Sequence, residues 1–310
     1  MIGLFETSEV AFLPMNSIFR FLRSFWKAKD KSDSKTPSPS DETNRPPWAR
    51  ELDGFYNFRD IGGYRVPGNK VVKSGIIFRS ANMDHVTLAG IHALRDKLGA
   101  CCVFDLRSSG DNGQPNPQIG SEQGITVHSV TAMDWEKSKK PVQEHFSLLA
   151  SDLLASFMVI YQHLAVESAP AFREILTHII NKPGHPIIIH CELGKDRTGI
   201  FIAILLKLLG VTDGEIAEDY HRTEGLIDSL TAVKTEKYRR SPYLKQPLIA
   251  IEKHFLAPKD VMEAFLAHIN DTYGGVCGYM RFIGLDAADI NRIRQNLCLP
   301  LECTHQLNWR

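Results

Sequence analysis

The sequence predicts an α/β fold: a central, mostly parallel sheet flanked by helices, closed by a helical C-terminal cap. Three observations carry that expectation. Short apolar runs bounded by glycine and polar clusters alternate with longer helical stretches. The two strongest runs, ACCVFDLRS and PIIIH, are continuously apolar, as strands covered on both faces read. Beyond residue 213 the patterning is helical only.

The elements follow in chain order. Residues 27–47 (KAKDKSDSKTPSPSDETNRPP) are rich in Lys, Ser, Asp, Thr and Pro, cannot bury a core and read as a flexible linker. The stretch before it, NSIFRFLRSFWKAK, spaces Ile18, Phe19, Leu22, Phe25 and Trp26 at roughly helical intervals beside Arg20, Arg23, Lys27 and Lys29. That is the pattern of a basic amphipathic helix capable of peripheral membrane contact; a loosely docked tail is the plainer expectation. Residues 1–47 are therefore expected to be a disordered tail and residues 48–310 the folded domain. In FYNFRDIGGYRV, Gly62 and Gly63 mark a turn, and GIIFRSANM reads as a strand running into a loop. Thr87 is the expected N-cap of a helix that closes at Gly99. ACCVFDLRS and ITVHSV are strands, and residues 143–180 are helical with a break at Ser168-Ala169-Pro170. PIIIH is the next buried strand, TGIFIAILLKLLG a strongly apolar helix ending at Gly210, and the remainder a set of helices.

Composition narrows the partners. The chain has 310 residues, 43% of them hydrophobic, enough for a sizeable core. Thirty-six basic residues face 36 acidic ones with no long basic run, which gives no argument for nucleic acid. The six cysteines show no zinc-type CxxC spacing, so no metal and no cofactor are expected. They read as reduced thiols, and with no convincing signal peptide the expected location is the cytoplasm. No run approaches the ~20 apolar residues of a membrane span.

The chemistry is carried by PIIIHCELGKDRTGIFIAILLKLLG. A strand enters a polar loop and the loop enters a helix, the layout in which backbone N–H groups converge on an anion. Gly194 eases the tight turn. Cys191 ends the strand and Arg197 opens the helix, so a bound phosphate meets both. The guanidinium fork grips two phosphate oxygens, while the same N–H groups and helix dipole favour a nucleophilic thiolate at Cys191. In-line attack of sulfur on phosphorus then gives a phosphocysteine that water hydrolyses. Glu192, Leu193, Gly194, Lys195 and Thr198 are the expected substrate-binding positions, with Lys195 at the loop rim and Thr198 bonding to the sulfur.

HCxxGxxRTG resembles the signature of the protein tyrosine phosphatase superfamily. The GKDRTG form is similar to the atypical bacterial and fungal tyrosine phosphatases that also act on phosphoinositides. NFRDIGGY, IFRSANM, LRDKLGACCVFDLRS, LKLLGVTDGEIAEDY and TYGGVCGYMRFIGLD resemble that group in the same order, over roughly residues 50–300. The resemblance implies a parallel sheet flanked by helices, catalysis by Cys191 and Arg197, and a phosphorylated protein or a phosphoinositide as substrate. Phosphotyrosine is the leading reading; a phosphoinositide phosphatase and a phosphate-binding pseudophosphatase are the alternatives. Glu192 departs from the group, where small, polar or basic residues are commoner, and disfavours highly charged substrates. No WPD tripeptide is present; the resembled group commonly carries an aspartate inside the loop, so the resemblance implies Asp196 as the general acid, with Asp134 in the TAMDWEK loop as its alternative. Asp105 and Arg107 either border the site or form a structural ion pair; for Arg59 and Asp60 the structural role is favoured. One of Cys101 and Cys102 is a weak candidate for an oxidative disulfide with Cys191.

Overall fold

The computed structural model describes residues 52–306 apart from 109–110, 112–115, 117–118, 121–122, 135–136, 228–229, 232–234 and 236–247. The expected N-terminal tail, its amphipathic helix and most of the basic stretch KTEKYRRSPYLK lie outside the described residues. Residues 51–310 form one compact unit.

Its main sheet has the order β1-β4-β7-β5-β6. These strands are β1 (Arg59–Asp60), β4 (Ile77–Ser80), β5 (Cys102–Asp105), β6 (Thr126–Ser129) and β7 (Ile187–His190). Only β1 is antiparallel to its neighbour. All four residues of β7 are buried, and so are all four of β4. Both faces of these central strands are therefore covered, which explains why IIIH is apolar without alternation. Each fully buried isoleucine contributes about 2 kcal/mol of apolar transfer.

The helices begin with α1 (Leu88–Leu98), capped by the Thr87 hydroxyl accepting from Gly90 N–H at 3.2 Å and closed at Gly99. Then come α2 (Lys139–Leu148), α3 (Leu153–Glu167), α4 (Ala169–Asn181) and α5 (Asp196–Leu209). Ser168 separates α3 from α4, the break the sequence predicts; a second break, between α2 and α3, was not legible. α5 buries twelve of its fourteen residues, because the sheet lies on one side of it and later helices on the other, hence its all-round hydrophobicity. Those later helices are α6 (Asp213–His221), α7 (Thr223–Leu226), α8 (Leu248–His254), α9 (Lys259–Tyr273), α10 (Val276–Phe282) and α11 (Ala287–Leu297).

A second, antiparallel sheet was not expected. It joins β2 (Arg65–Val66), β3 (Lys70–Val72) and β8 (Cys298–Pro300), tying the end of the fold to its beginning. Strands of two or three residues are too short to show a period of two.

The carboxyl ends of β4, β7 and β5 lie side by side, with β7 in the middle. Loops leaving β4 and β5 therefore diverge around the loop leaving β7, and ligands of open α/β sheets bind in such a crevice.

Candidate active site

The loop from His190 to Arg197 joins β7 to α5, and its carbonyl groups are held from outside. His190 C=O accepts from Leu106 N–H at 2.9 Å, and Glu192 C=O from Asn82 N–H at 3.1 Å and from its Nδ2 at 3.2 Å. Leu193 C=O accepts from Asn57 Nδ2 at 2.8 Å and Gly194 C=O from Arg79 Nη2 at 2.6 Å. In a trans peptide the N–H points opposite the C=O. Fixing three successive carbonyls outward therefore turns the N–H groups of Leu193, Gly194 and Lys195 toward the inside of the loop, the arrangement of an anion nest.

Gly194 is required for that path. Its φ is +65°, and a Cβ there would lie 2.2 Å from the Ser80 carbonyl oxygen. The chain passes so close to β4 that no side chain fits.

Behind the loop, Arg79 is 1% exposed and shares Asp219 with Arg59. Arg59 Nε meets Asp219 Oδ1 at 2.8 Å and Arg79 Nη1 meets Oδ2 at 2.5 Å. Burial alone raises the Asp219 carboxyl, but the two guanidinium groups bring it down to about 2. Arg79 is pushed down to about 10, by burial and then by repulsion from Arg59. Two cations against one anion leave net positive charge beside the loop. Arg59 is thus a member of the loop's support. Asp60 plays a local part: its carboxylate accepts from Gly62 and Gly75 N–H, and burial pushes it up to about 6.

Arg197 is 2% exposed and bidentate to Asp111, Nη1 to Oδ2 at 2.8 Å and Nη2 to Oδ1 at 2.6 Å, with Nη1 also donating to Leu106 C=O at 3.3 Å. Burial works against an ionised Asp111, yet Arg197 and the Ser108 donors hold its carboxyl below the usual range. The Asp111 pair occupies the Nη1–Nη2 edge of the guanidinium; the Nε–Nη2 edge is a second fork of the same geometry.

On the other flank, Arg107 meets Asp84 and Asp105, each at 2.9 Å, and lies 3.8 Å from Glu192. Both alternatives for Asp105 and Arg107 therefore hold at once: an ion pair that also borders the loop. Burial keeps His190 below its ordinary pKa, although Asp105 lies 3.7 Å from its Nε2. Cys191 is 2% exposed. The Thr198 hydroxyl is buried and has no hydrogen-bond partner among the described residues.

Lys195 corrects an expectation. It is not at the rim but fully buried, donating to the carbonyls of His254 and Leu256, 3.2 Å from Asp196 and 4.3 Å from the centre of the Phe157 ring. Burial drives its pKa down, while Asp196 opposes that. Asp196 also accepts from Tyr161 Oη at 2.8 Å. Burial would raise the Asp196 carboxyl, but Lys195, His254 and Tyr161 hold it below the ordinary value. Leu193 packs with Ile227, Ile251 and Phe255, so the loop is clasped by the helical cap. Asp134 lies in the loop after β6, 3.4 Å from Lys137.

The disulfide with Cys191 is also overturned. β5 pairs with β7 so that Cys102 faces Ile187 and Asp105 faces His190. Cys191 is therefore about 13 Å farther along the strand direction at ~3.3 Å per residue, beyond the ~7 Å Cα separation a disulfide bridges. Cys101, the residue before β5, starts farther away still.

The sequence profile described as "Tyrosine phosphatase family" matches residues 50–299. The chain belongs to the tyrosine phosphatase family. This phosphatase is 28% identical over 276 residues to the triple specificity protein phosphatase PtpB of Mycobacterium tuberculosis, covering 79% of the chain and 97% of that protein. It is 23% identical over 234 residues to a tyrosine-protein phosphatase of Nostoc commune, covering 75% of each. The phosphatase is accordingly a phosphomonoester hydrolase, as the loop predicts. Sequence reading missed Asn57, Arg79, Asn82, Asp111 and Asp219; an arginine inside the otherwise apolar IIFRS strand was the one visible signal.

Proposed function

We propose that this phosphatase hydrolyses phosphotyrosine on protein substrates, with Cys191 as nucleophile and Arg197 as the phosphate clamp. The observation that carries the reading is the outward fixation of the loop carbonyls at Glu192, Leu193 and Gly194. A phosphoryl group seated in the nest receives the inward N–H groups and the Nε–Nη2 edge of Arg197. The Cys191 thiolate attacks phosphorus, the P–O bond to the leaving oxygen breaks, and the charge on the equatorial oxygens is met by donors already in position. Water then attacks phosphorus, releasing phosphate and restoring the thiolate, which Thr198 Oγ1 stabilises as a donor.

We assign proton donation to Asp196. Its contacts with Lys195 and Tyr161 favour the carboxylate, so the assignment requires the incoming phosphate dianion to raise its pKa. Asp196→Asn should then slow hydrolysis of alkyl phosphates far more than that of nitrophenyl phosphate, whose leaving group needs no proton. Equal effects on both would move the role to another acid, Asp134 first.

Two observations favour phosphotyrosine over a polyphosphorylated lipid headgroup. Among the described residues, Asp84, Asp105 and Glu192 lie around Arg107, and Lys195 is fully buried with its ammonium on backbone carbonyls. The test is a panel of phosphotyrosine, phosphoserine and phosphothreonine peptides and phosphoinositides, run with wild type and Cys191→Ser. Turnover confined to wild type and highest on phosphotyrosine supports the reading. Turnover highest on phosphoinositide overturns the substrate, and turnover that survives Cys191→Ser overturns the mechanism. We also propose cytoplasmic residence, on the unpaired described cysteines. Among the described residues, no helix is long and apolar enough to cross a membrane.

A further inference from the structure

Three metal-ligating side chains converge on one side of the main sheet, away from the catalytic loop. Cys102 opens β5, and His128 lies on β6, which pairs with β5 in parallel. The register sets Cys102 opposite Thr126 and Phe104 opposite His128. Because strand side chains alternate, Cys102, Phe104 and His128 share one face. His178, in the last turn of α4, packs onto that face. The ligating atoms of Cys102, His128 and His178 all lie within 4.8 Å of one another.

Phe104 forms the floor. Its ring stacks on His128 at 4.9 Å between centroids and meets His178 edge-on at 5.1 Å, while the two imidazoles are 5.9 Å apart. This packing limits the rotation of both histidines. His178 Nε2 is buried and has no hydrogen-bond partner among the described residues. Buried polar atoms are usually satisfied, and an orphan calls for an explanation. A bound cation supplies one.

We propose that Cys102, His128 and His178 form a binding site for a zinc ion. The donor set, one sulfur and two imidazole nitrogens without a carboxylate, selects zinc and related soft or borderline cations over magnesium or calcium. Around tetrahedral zinc, Zn–S of about 2.3 Å and Zn–N of about 2.0–2.1 Å set donor separations of roughly 3.4–3.6 Å. The donor atoms, within 4.8 Å of one another, therefore have at most about 1.4 Å to close, a shift that small adjustments of the three side chains against Phe104 can supply. Cys102 binds as thiolate and its proton passes to solvent. Three protein ligands leave the fourth position to water or a further donor. Such a site staples α4 to the β5–β6 edge of the sheet. It neither uses nor needs the phosphatase chemistry, and it was invisible in the sequence because its ligands come from three separate elements with no local spacing motif.

The experiment uses the full chain carrying Cys191→Ser, so that the buried loop thiol contributes no zinc binding. Zinc affinity is measured by competition with a chromophoric chelator, and cobalt is added to look for the thiolate-to-cobalt charge-transfer band. The expected result is one equivalent of zinc whose affinity falls by more than about tenfold, the least that losing a ligand should cost, when Cys102→Ala or His178→Gln is added. The cobalt band should disappear with Cys102→Ala, and zinc should raise the Tm of the parent but not of these variants. His128→Gln is the independent third route if either of the others fails to fold in the presence of chelator. In otherwise wild-type chain, Cys102→Ala should keep its phosphatase activity. Equal zinc affinity in parent and variants, or no zinc bound by the parent, overturns the proposal.

Discussion

Asp111 holds both terminal nitrogens of the Arg197 guanidinium, at 2.8 and 2.6 Å. The carboxylate comes from the loop after β5 and the arginine from the first turn of α5, so the guanidinium proposed to clamp phosphate is aimed by a part of the chain that carries no signature of its own. Asp111→Ala strips a buried guanidinium of its partner, so Tm should fall, and at temperatures where the variant is folded kcat/KM should drop by about 10- to 100-fold, as for misaimed groups. Asp111→Asn, which can still accept one bond, should lie between. A rise in phosphate affinity on removing the carboxylate would instead identify Asp111 as a competitor for the clamp.

Gly194→Ala tests the loop path. The new methyl group would meet the Ser80 carbonyl at 2.2 Å on a backbone with φ +65°. Strain of this kind costs about 1–3 kcal/mol. Steady-state kinetics should show kcat/KM reduced more than about 100-fold with circular dichroism unchanged, because the displaced N–H groups no longer converge.

Lys195→Ala separates a structural lysine from a substrate contact. The ammonium satisfies two carbonyls and faces Asp196. Deleting it leaves a buried carboxylate short of its partner, which costs about 3–5 kcal/mol. Thermal denaturation should show the loss, and activity should fall alike on every substrate. A loss restricted to lipid phosphates, with Tm unchanged, would return Lys195 to the substrate.

Acid should destabilise the fold through a pair of buried histidines. His145 Nε2 lies 3.0 Å from His254 Nδ1. Burial, and then the nearby Lys195, push His145 down to about 4 and His254 well below its ordinary value. Unfolding lets both bind protons at their usual pKa near 6.5. Stability is therefore complete above pH 6.5 and falls as pH drops toward 4, by about 3 kcal/mol for His145 alone. Asp60, raised to about 6, has the opposite sign and offsets part of the loss between pH 6 and 4. Urea unfolding from pH 7.5 to 4.5 should show the decline, and His145→Gln should flatten it.

The parts of this phosphatase that were legible in sequence are those whose information is contiguous. IIIH, the polar loop and the apolar α5 follow one another directly, and Thr87 with Gly99 brackets α1 by local capping chemistry. The supports of the loop were not legible, because Asn57, Arg79 and Asp111 reach their partners across 136, 115 and 86 positions. Lys195 was misplaced for a related reason. A lysine in a polar loop reads as exposed until a distant segment, here the carbonyls of His254 and Leu256, closes over it. β2, β3 and β8 left no trace because two or three residues cannot establish an alternation.

That lysine has a further consequence. Its ammonium latches the loop to the end of α8 and the residues just after it, and Leu193 adds an apolar contact with Ile251 and Phe255 on the same side. The two regions thus share one opening equilibrium, because neither can be exposed without breaking contacts that hold the other. Amide hydrogen exchange in the loop and in residues 251–256 should proceed at matched rates, and a ligand that quiets one should quiet the other.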